Sequence, residues 1–138
     1  MLTPPKVADL MLRDPVTVDP DASIEDAVER YFLHYGYSGF PVAKDGRAAG
    51  LLSLARVREC PREERSTRRV HDIMLPLDAR MTISPTATIS EAMHRMAEAD
   101  LSRLLVLDGE RLSGLITRSQ IGRYVQLRAQ LEPVTADV

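Results

Sequence analysis

The sequence predicts an α/β module built from two copies of one unit, each running helix, strand, helix, strand, strand, helix, packed with pseudo-twofold symmetry. Three observations predict it. The chain repeats itself at an offset of 63 to 65 residues: Val7-Ala8-Asp9-Leu10-Met11 returns as Val70-His71-Asp72-Ile73-Met74, Pro20-Asp21-Ala22-Ser23-Ile24-Glu25-Asp26-Ala27 as Pro85-Thr86-Ala87-Thr88-Ile89-Ser90-Glu91-Ala92, and Gly50-Leu51-Leu52-Ser53 as Gly114-Leu115-Ile116-Thr117. Both copies carry helical and strand signals in the same order. A unit of about 60 residues encloses too little interior to be stable alone, which favours two units packed sheet to sheet.

The elements follow in chain order. Pro4 and Pro5 suit an extended lead into the first helix. Ser23 with Asp26, and Thr88 with Glu91, have the spacing of an N-cap hydroxyl and a first-turn carboxylate, so a helix starts at each place. Behind those caps, Ile24, Ala27, Val28, Tyr31 and Phe32 form one apolar stripe and Ile89, Ala92, Met93, Met96 and Ala97 form the other. Ile24, Val28, Ile89 and Met93 are the expected core residues. Phe40 to Ala43 and Leu104 to Leu107 read as strands, with turns expected at Asp45-Gly46 and Asp108-Gly109. Second strands over about 49–53 and 112–117 lead into helices over 54–58 and 118 to about 131, the latter with Ile121, Tyr124, Val125 and Arg128 on one side. The expected division is repeat 1 over 7–60, a charged linker over 61–69 that begins at Pro61, and repeat 2 over 70–130.

Composition narrows the function classes. Eighteen basic residues against twenty acidic ones leave a formal charge of −2, which gives no net drive toward nucleic acid or an anionic membrane. One cysteine, Cys60, leaves no intramolecular disulfide and fits a reducing, cytoplasmic setting. No apolar run approaches the roughly 20 residues that span a bilayer, so no membrane insertion of this chain is expected. His34, His71 and His94 lack metal-ligand spacing, and the methionines read as adaptable packing. The sequence holds no nucleophile elbow, no phosphate loop and no distinct acid/base constellation, so an enzyme is not expected.

The duplicated pattern of a Val-x-Asp-h-Met opening (h, apolar), a Pro-x-x-Ser/Thr-h-x-x-Ala helix start, Gly39-Phe40-Pro41-Val42, Asp-Gly, and Gly-h-h-Ser/Thr resembles the cystathionine β-synthase-type (CBS) domain, over about 7–130. The resemblance implies two β-α-β-β-α units forming a disc, commonly a homodimer, with two clefts that often bind adenosine-containing ligands. In that pattern the hydroxyl of Gly-h-h-Thr-x-x-Asp contacts phosphate and the carboxylate contacts ribose. Here Ser53 and Thr117 match the hydroxyl, but Arg56 and Gln120 stand at the acidic position. A carboxylate accepts from both ribose hydroxyls, whereas arginine only donates and glutamine offers one carbonyl, so weak or atypical ribose recognition is expected in both clefts. Gln120→Asp is therefore expected to strengthen adenosine recognition. Arg103 occupies a position where some members carry a phosphate-binding arginine, and Thr117 and Arg118 open the last helix beside it. The resemblance adds Thr17, Thr82, Gly39, Phe40 and Pro41 to the candidate ligand-binding residues.

A narrower resemblance joins Tyr31-Phe32-Leu33-His34-Tyr35-Gly36-Tyr37-Ser38-Gly39-Phe40-Pro41-Val42 and Val57-Arg58-Glu59-Cys60-Pro61-Arg62-Glu63-Glu64 to the CBS pairs appended to site-two-type intramembrane zinc metalloproteases. The chain itself holds no His-Glu-x-x-His. The expected function is a non-catalytic module sensing an adenine nucleotide (AMP, ADP or ATP), S-adenosylmethionine or a related anion, with no obligatory cofactor. The alternatives are a structural dimerisation module with empty clefts, or the cytoplasmic regulatory tail of a membrane metalloprotease.

Overall fold

A computed structural model describes residues 4–132. In chain order the elements are α1 (Val7–Leu10), β1 (Leu12–Arg13), α2 (Ile24–Ala27), a π-helical turn (Val28–Phe32), α3 (Leu33–Tyr35), β2 (Gly39–Lys44), β3 (Arg47–Ser53), α4 (Leu54–Glu59), α5 (Val70–Ile73), β4 (Leu75–Pro76), β5 (Thr82–Ile83), α6 (Ile89–Ala99), β6 (Arg103–Asp108), β7 (Arg111–Thr117) and α7 (Arg118–Leu131). Both expected caps form: Ser23 Oγ accepts from the Asp26 amide at 3.0 Å and Thr88 Oγ1 from the Glu91 amide at 3.1 Å. Each satisfies a donor that the first turn leaves without a helical partner, worth about 1 kcal/mol.

Two antiparallel hairpins, β2–β3 and β6–β7, are the centre of the fold. Their alternation separates the cores, because successive strand residues face opposite sides. On β3, Leu52 faces the first core and Leu51 the other side; on β6 and β7, Leu104, Val106 and Ile116 face the second core while Leu105 and Leu115 turn away. Leu51, Leu105 and Leu115 join Met81 in a third core between the hairpins, which is where the two halves meet. Backbone pairing links the hairpins at Arg47 and Arg111. Beside each hairpin runs a parallel partner, β5 on β6 and, in the first half, a single bridge from Val18 to Val42.

The opening segments cross over. Val7 and Met11 are buried in the second core, and β1 pairs with β7; Val70 and Ile73 are buried in the first core, and β4 pairs with β3. The two repeated glycines permit these crossings. A Cβ on Gly50 would lie 2.3 Å from the Leu75 carbonyl oxygen, and one on Gly114 would lie 2.6 Å from Met11 Sδ and 2.9 Å from the Leu12 carbonyl oxygen. Only a glycine lets the crossing strand approach so closely.

Three expectations require correction. Met93 is 41% exposed and Val28 half-buried, so the buried stripe of α6 is the narrower set Ile89, Ala92 and Met96. In the first half the π turn widens the helix at Val28 and rotates the residues after it, which brings Phe32 into the core and leaves Tyr31 at its edge. The second hairpin turn falls at Gly109-Glu110 rather than Asp108-Gly109: Asp108 pairs with Arg111, and Gly109 takes φ +66° at the first central position, as in a type II′ turn. The first turn is Asp45-Gly46, both with positive φ.

Candidate functional site

Where a hairpin strand starts, its partner strand ends and the next helix begins, each half forms a cleft. The Thr117 cleft encloses about 500 Å³ and takes Thr117, Ser119, Gln120 and Arg123 from the start of α7, Leu12 from the crossing strand, and Gly36 to Gly39 from the other half, with Arg103 at its base. The Ser53 cleft encloses about 340 Å³ and is lined by Ser53, Leu54 and Ala55, by Asp100 to Arg103, and by Ser38 and Gly39. Arg103 and Gly39 therefore line both.

Arg103 begins β6 opposite Thr117 and is half-buried. Its Nη2 donates to Ser38 Oγ at 2.7 Å, and among the described residues no carboxylate stands within ion-pair distance. Burial without a counter-charge pulls its pKa below the ordinary arginine value, since desolvation disfavours the charged form. The guanidinium has spare donors in a fork that matches phosphate or carboxylate.

The helix starts are already engaged. Thr117 Oγ1 accepts from the Gln120 amide at 3.1 Å, and Gln120 Oε1 accepts in return from the Thr117 amide at 2.8 Å, a reciprocal capping box. Gln120 Nε2 reaches the Leu10 carbonyl at 3.5 Å. In the first half, Ser53 Oγ accepts from the Arg56 amide at 3.2 Å, and Arg56 Nε donates to the Ile73 carbonyl at 2.9 Å. Leu10 and Ile73 end the two opening helices. The residue at the acidic position thus works in both halves as a donor that ties down the crossing helix, a bond a carboxylate is unable to make.

The other candidates stand apart from the clefts. The Arg118 side chain donates to the Leu101 carbonyl at 3.3 Å. Phe40 is buried in the first core, and Pro41 is buried in β2, paired with Leu51. Thr82 Oγ1 donates to the Ala79 carbonyl, and Thr17 is half-buried just before the Val18 bridge. Sequence reasoning missed Tyr37, Ser119, Arg123 and Asp100. Tyr37 is 51% exposed in the Thr117 cleft, stacked on Tyr35 at 5.6 Å between ring centres, and offers an aromatic face. Ser119 and Arg123 were legible as one face of α7, two and six residues past its cap. Among the described residues no cluster of histidine, cysteine and carboxylates forms a metal centre, and no helix is long and apolar enough to cross a membrane.

Comparison with known proteins places this geometry. The CBS domain family matches residues 7–63 and 70–126. The chain is 35% identical to the Mycobacterium tuberculosis protein named as zinc metalloprotease Rip3 over 93% of its length, and 29% identical to a zinc metalloprotease of Methanocaldococcus jannaschii over 88%. It spans about a third of the length of those relatives, 33% and 32%. Its fold matches the CBS-pair protein CBSX2 of Arabidopsis thaliana with a TM-score of 0.83 at 22% identity, covering 94% of this chain and 100% of that one. The structure of CBSX2 in complex with AMP matches with a TM-score of 0.76 at 25% identity, covering 91% and 98%.

Proposed function

The chain belongs to the CBS domain family, and from that premise we propose that it senses an adenine nucleotide in the Thr117 cleft, the phosphate held at Arg103. As a CBS pair it is a regulatory module and not an enzyme. The observation that carries the ligand reading is the half-buried guanidinium without a counter-charge at the base of a cleft that also offers Arg123 and the face of Tyr37. AMP is the first ligand to expect, since CBSX2 holds it in a closely matching fold; ADP, ATP and S-adenosylmethionine complete the panel. Ribose contacts are weak in this reading, because the Gln120 side chain is committed to its cap and to the Leu10 carbonyl, and the Arg56 side chain to the Ile73 carbonyl. A ligand binding only the folded chain at 100 times its Kd adds about 2.7 kcal/mol of stability, which raises the melting temperature by several degrees. Thermal-shift titration checks this: AMP raises the midpoint more than adenosine does. A flat response to the whole panel favours a structural module with empty clefts.

The same reading takes the chain as a homodimer. Exposed apolar side chains on α7, Val125, Leu127 and Leu131, offer a helical surface that a twofold partner covers. Light scattering should return twice the 15.4 kDa chain mass. A monomer at tens of micromolar, insensitive to salt, removes the dimer.

A second reading rests on the two metalloprotease relatives: the chain is the cytoplasmic regulatory segment of a zinc metalloprotease. Proteolysis by the full-length protein then changes with AMP. Turnover indifferent to nucleotide, measured on a protein whose clefts bind it, overturns this second reading.

A further inference from the structure

We propose that the two clefts share one cation and so take one phosphate-bearing ligand per chain between them, with the Thr117 cleft preferred. The inference rests on the nucleotide reading for the class of ligand. Gly39 and Arg103 hold equivalent places in the two halves: each opens the first strand of its hairpin and pairs with the residue that caps the next helix, Gly39 with Ser53 and Arg103 with Thr117. A symmetric pair would set one side chain in each cleft. Here the glycine leaves a space and the arginine enters it, for a Cβ on Gly39 would stand 2.0 Å from Arg103 Nη1. One guanidinium therefore forms part of both walls. A bidentate fork serves one phosphate at a time, and a second anion brought to its other side meets the charge of the first.

The remaining charges decide which cleft is preferred. Arg123 lines the Thr117 cleft, and its counterpart in the first repeat is Glu59; Asp100 lines the Ser53 cleft, and its counterpart is Gly36. An anion meets two cations in the first and one cation with a carboxylate in the second. Coulombic attraction and repulsion both direct it to Thr117.

Ala55 and Ser119 are equivalent, exposed, and each lines one cleft and not the other, so a tryptophan at either position obstructs part of that cleft. Calorimetric titration of the full chain with AMP, and with pyrophosphate as a probe lacking base and sugar, tests the proposal. The wild type should bind one AMP per chain, and so should Ala55→Trp. Ser119→Trp should weaken AMP by roughly tenfold or more, by moving it beside Asp100, and adding Arg103→Ala should abolish what remains. Gly39→Ala, which displaces the guanidinium without filling either cleft, should also weaken binding. Two AMP per wild-type chain, or Ser119→Trp binding as the wild type does, overturns the proposal. One pyrophosphate per chain with no AMP uptake sinks the nucleotide reading and leaves the shared cation standing; uptake of neither sinks both.

Discussion

Ile89→Ala lowers the unfolding free energy by about 2–5 kcal/mol, the range for removing a large aliphatic side chain from a packed core. Ile89 is the first residue of α6, directly after its Thr88 cap, and is 8% exposed among the residues of the second core. Its amide donates to the Pro5 carbonyl at 3.2 Å, which ties the first residue of α6 to the lead into α1. Met93→Ala is the internal control. That side chain is 41% exposed, so its loss should change stability by no more than about 0.5 kcal/mol. Urea denaturation of both variants checks the pair. Equal shifts in midpoint would mean that α6 presents a different face to the core.

The parts of the fold legible in the sequence are those set by neighbouring residues. Ser23 and Thr88 cap helices because a hydroxyl three residues before a free amide is a local arrangement, and the hairpins arise from short apolar runs closed by glycine turns. The crossing of the opening helices was not legible. It depends on two-residue pairings, Leu12 with Leu115 and Leu75 with Leu51, whose partners lie far along the chain and leave no periodicity. Its trace was Gly50 and Gly114, repeated where only backbone fits.

The candidate site divides in the same way. The loss of the carboxylate at Arg56 and Gln120 is visible in the sequence, but what replaces it is not, because the Ile73 and Leu10 carbonyls come from the crossing segments. Gln120→Asp supplies an acceptor for ribose but forfeits the bond to Leu10, so any gain in adenosine recognition is set against a looser α1. Adjacency alone groups Arg118 with Thr117. One step along a helix turns a side chain by about 100°, and this one reaches Leu101 while Ser119 and Arg123 line the cleft. Arg103 is recognisable from its strand; its reach across Gly39 needs both halves in place.

Arg103→Ala weakens AMP binding by about 1.5–3 kcal/mol, the worth of hydrogen bonds to a charged group, which is a loss of roughly 10-fold to 150-fold in affinity. Adenosine, without a phosphate, should lose far less. The unliganded chain should respond differently. Arg103 is half-buried with Ser38 Oγ as its hydrogen-bond partner, and desolvation already disfavours its charge, so its removal takes away a cost together with a bond. Its effect on unliganded stability should stay within about 1 kcal/mol of zero. Thus the substitution separates ligand recognition from folding, which a merely structural arginine would not do. Titration of wild type and variant with AMP and adenosine, alongside urea denaturation of both without ligand, provides the three readings. Unchanged AMP affinity would remove Arg103 from the site, and a fall in unliganded stability as large as the fall in affinity would assign its role to the fold.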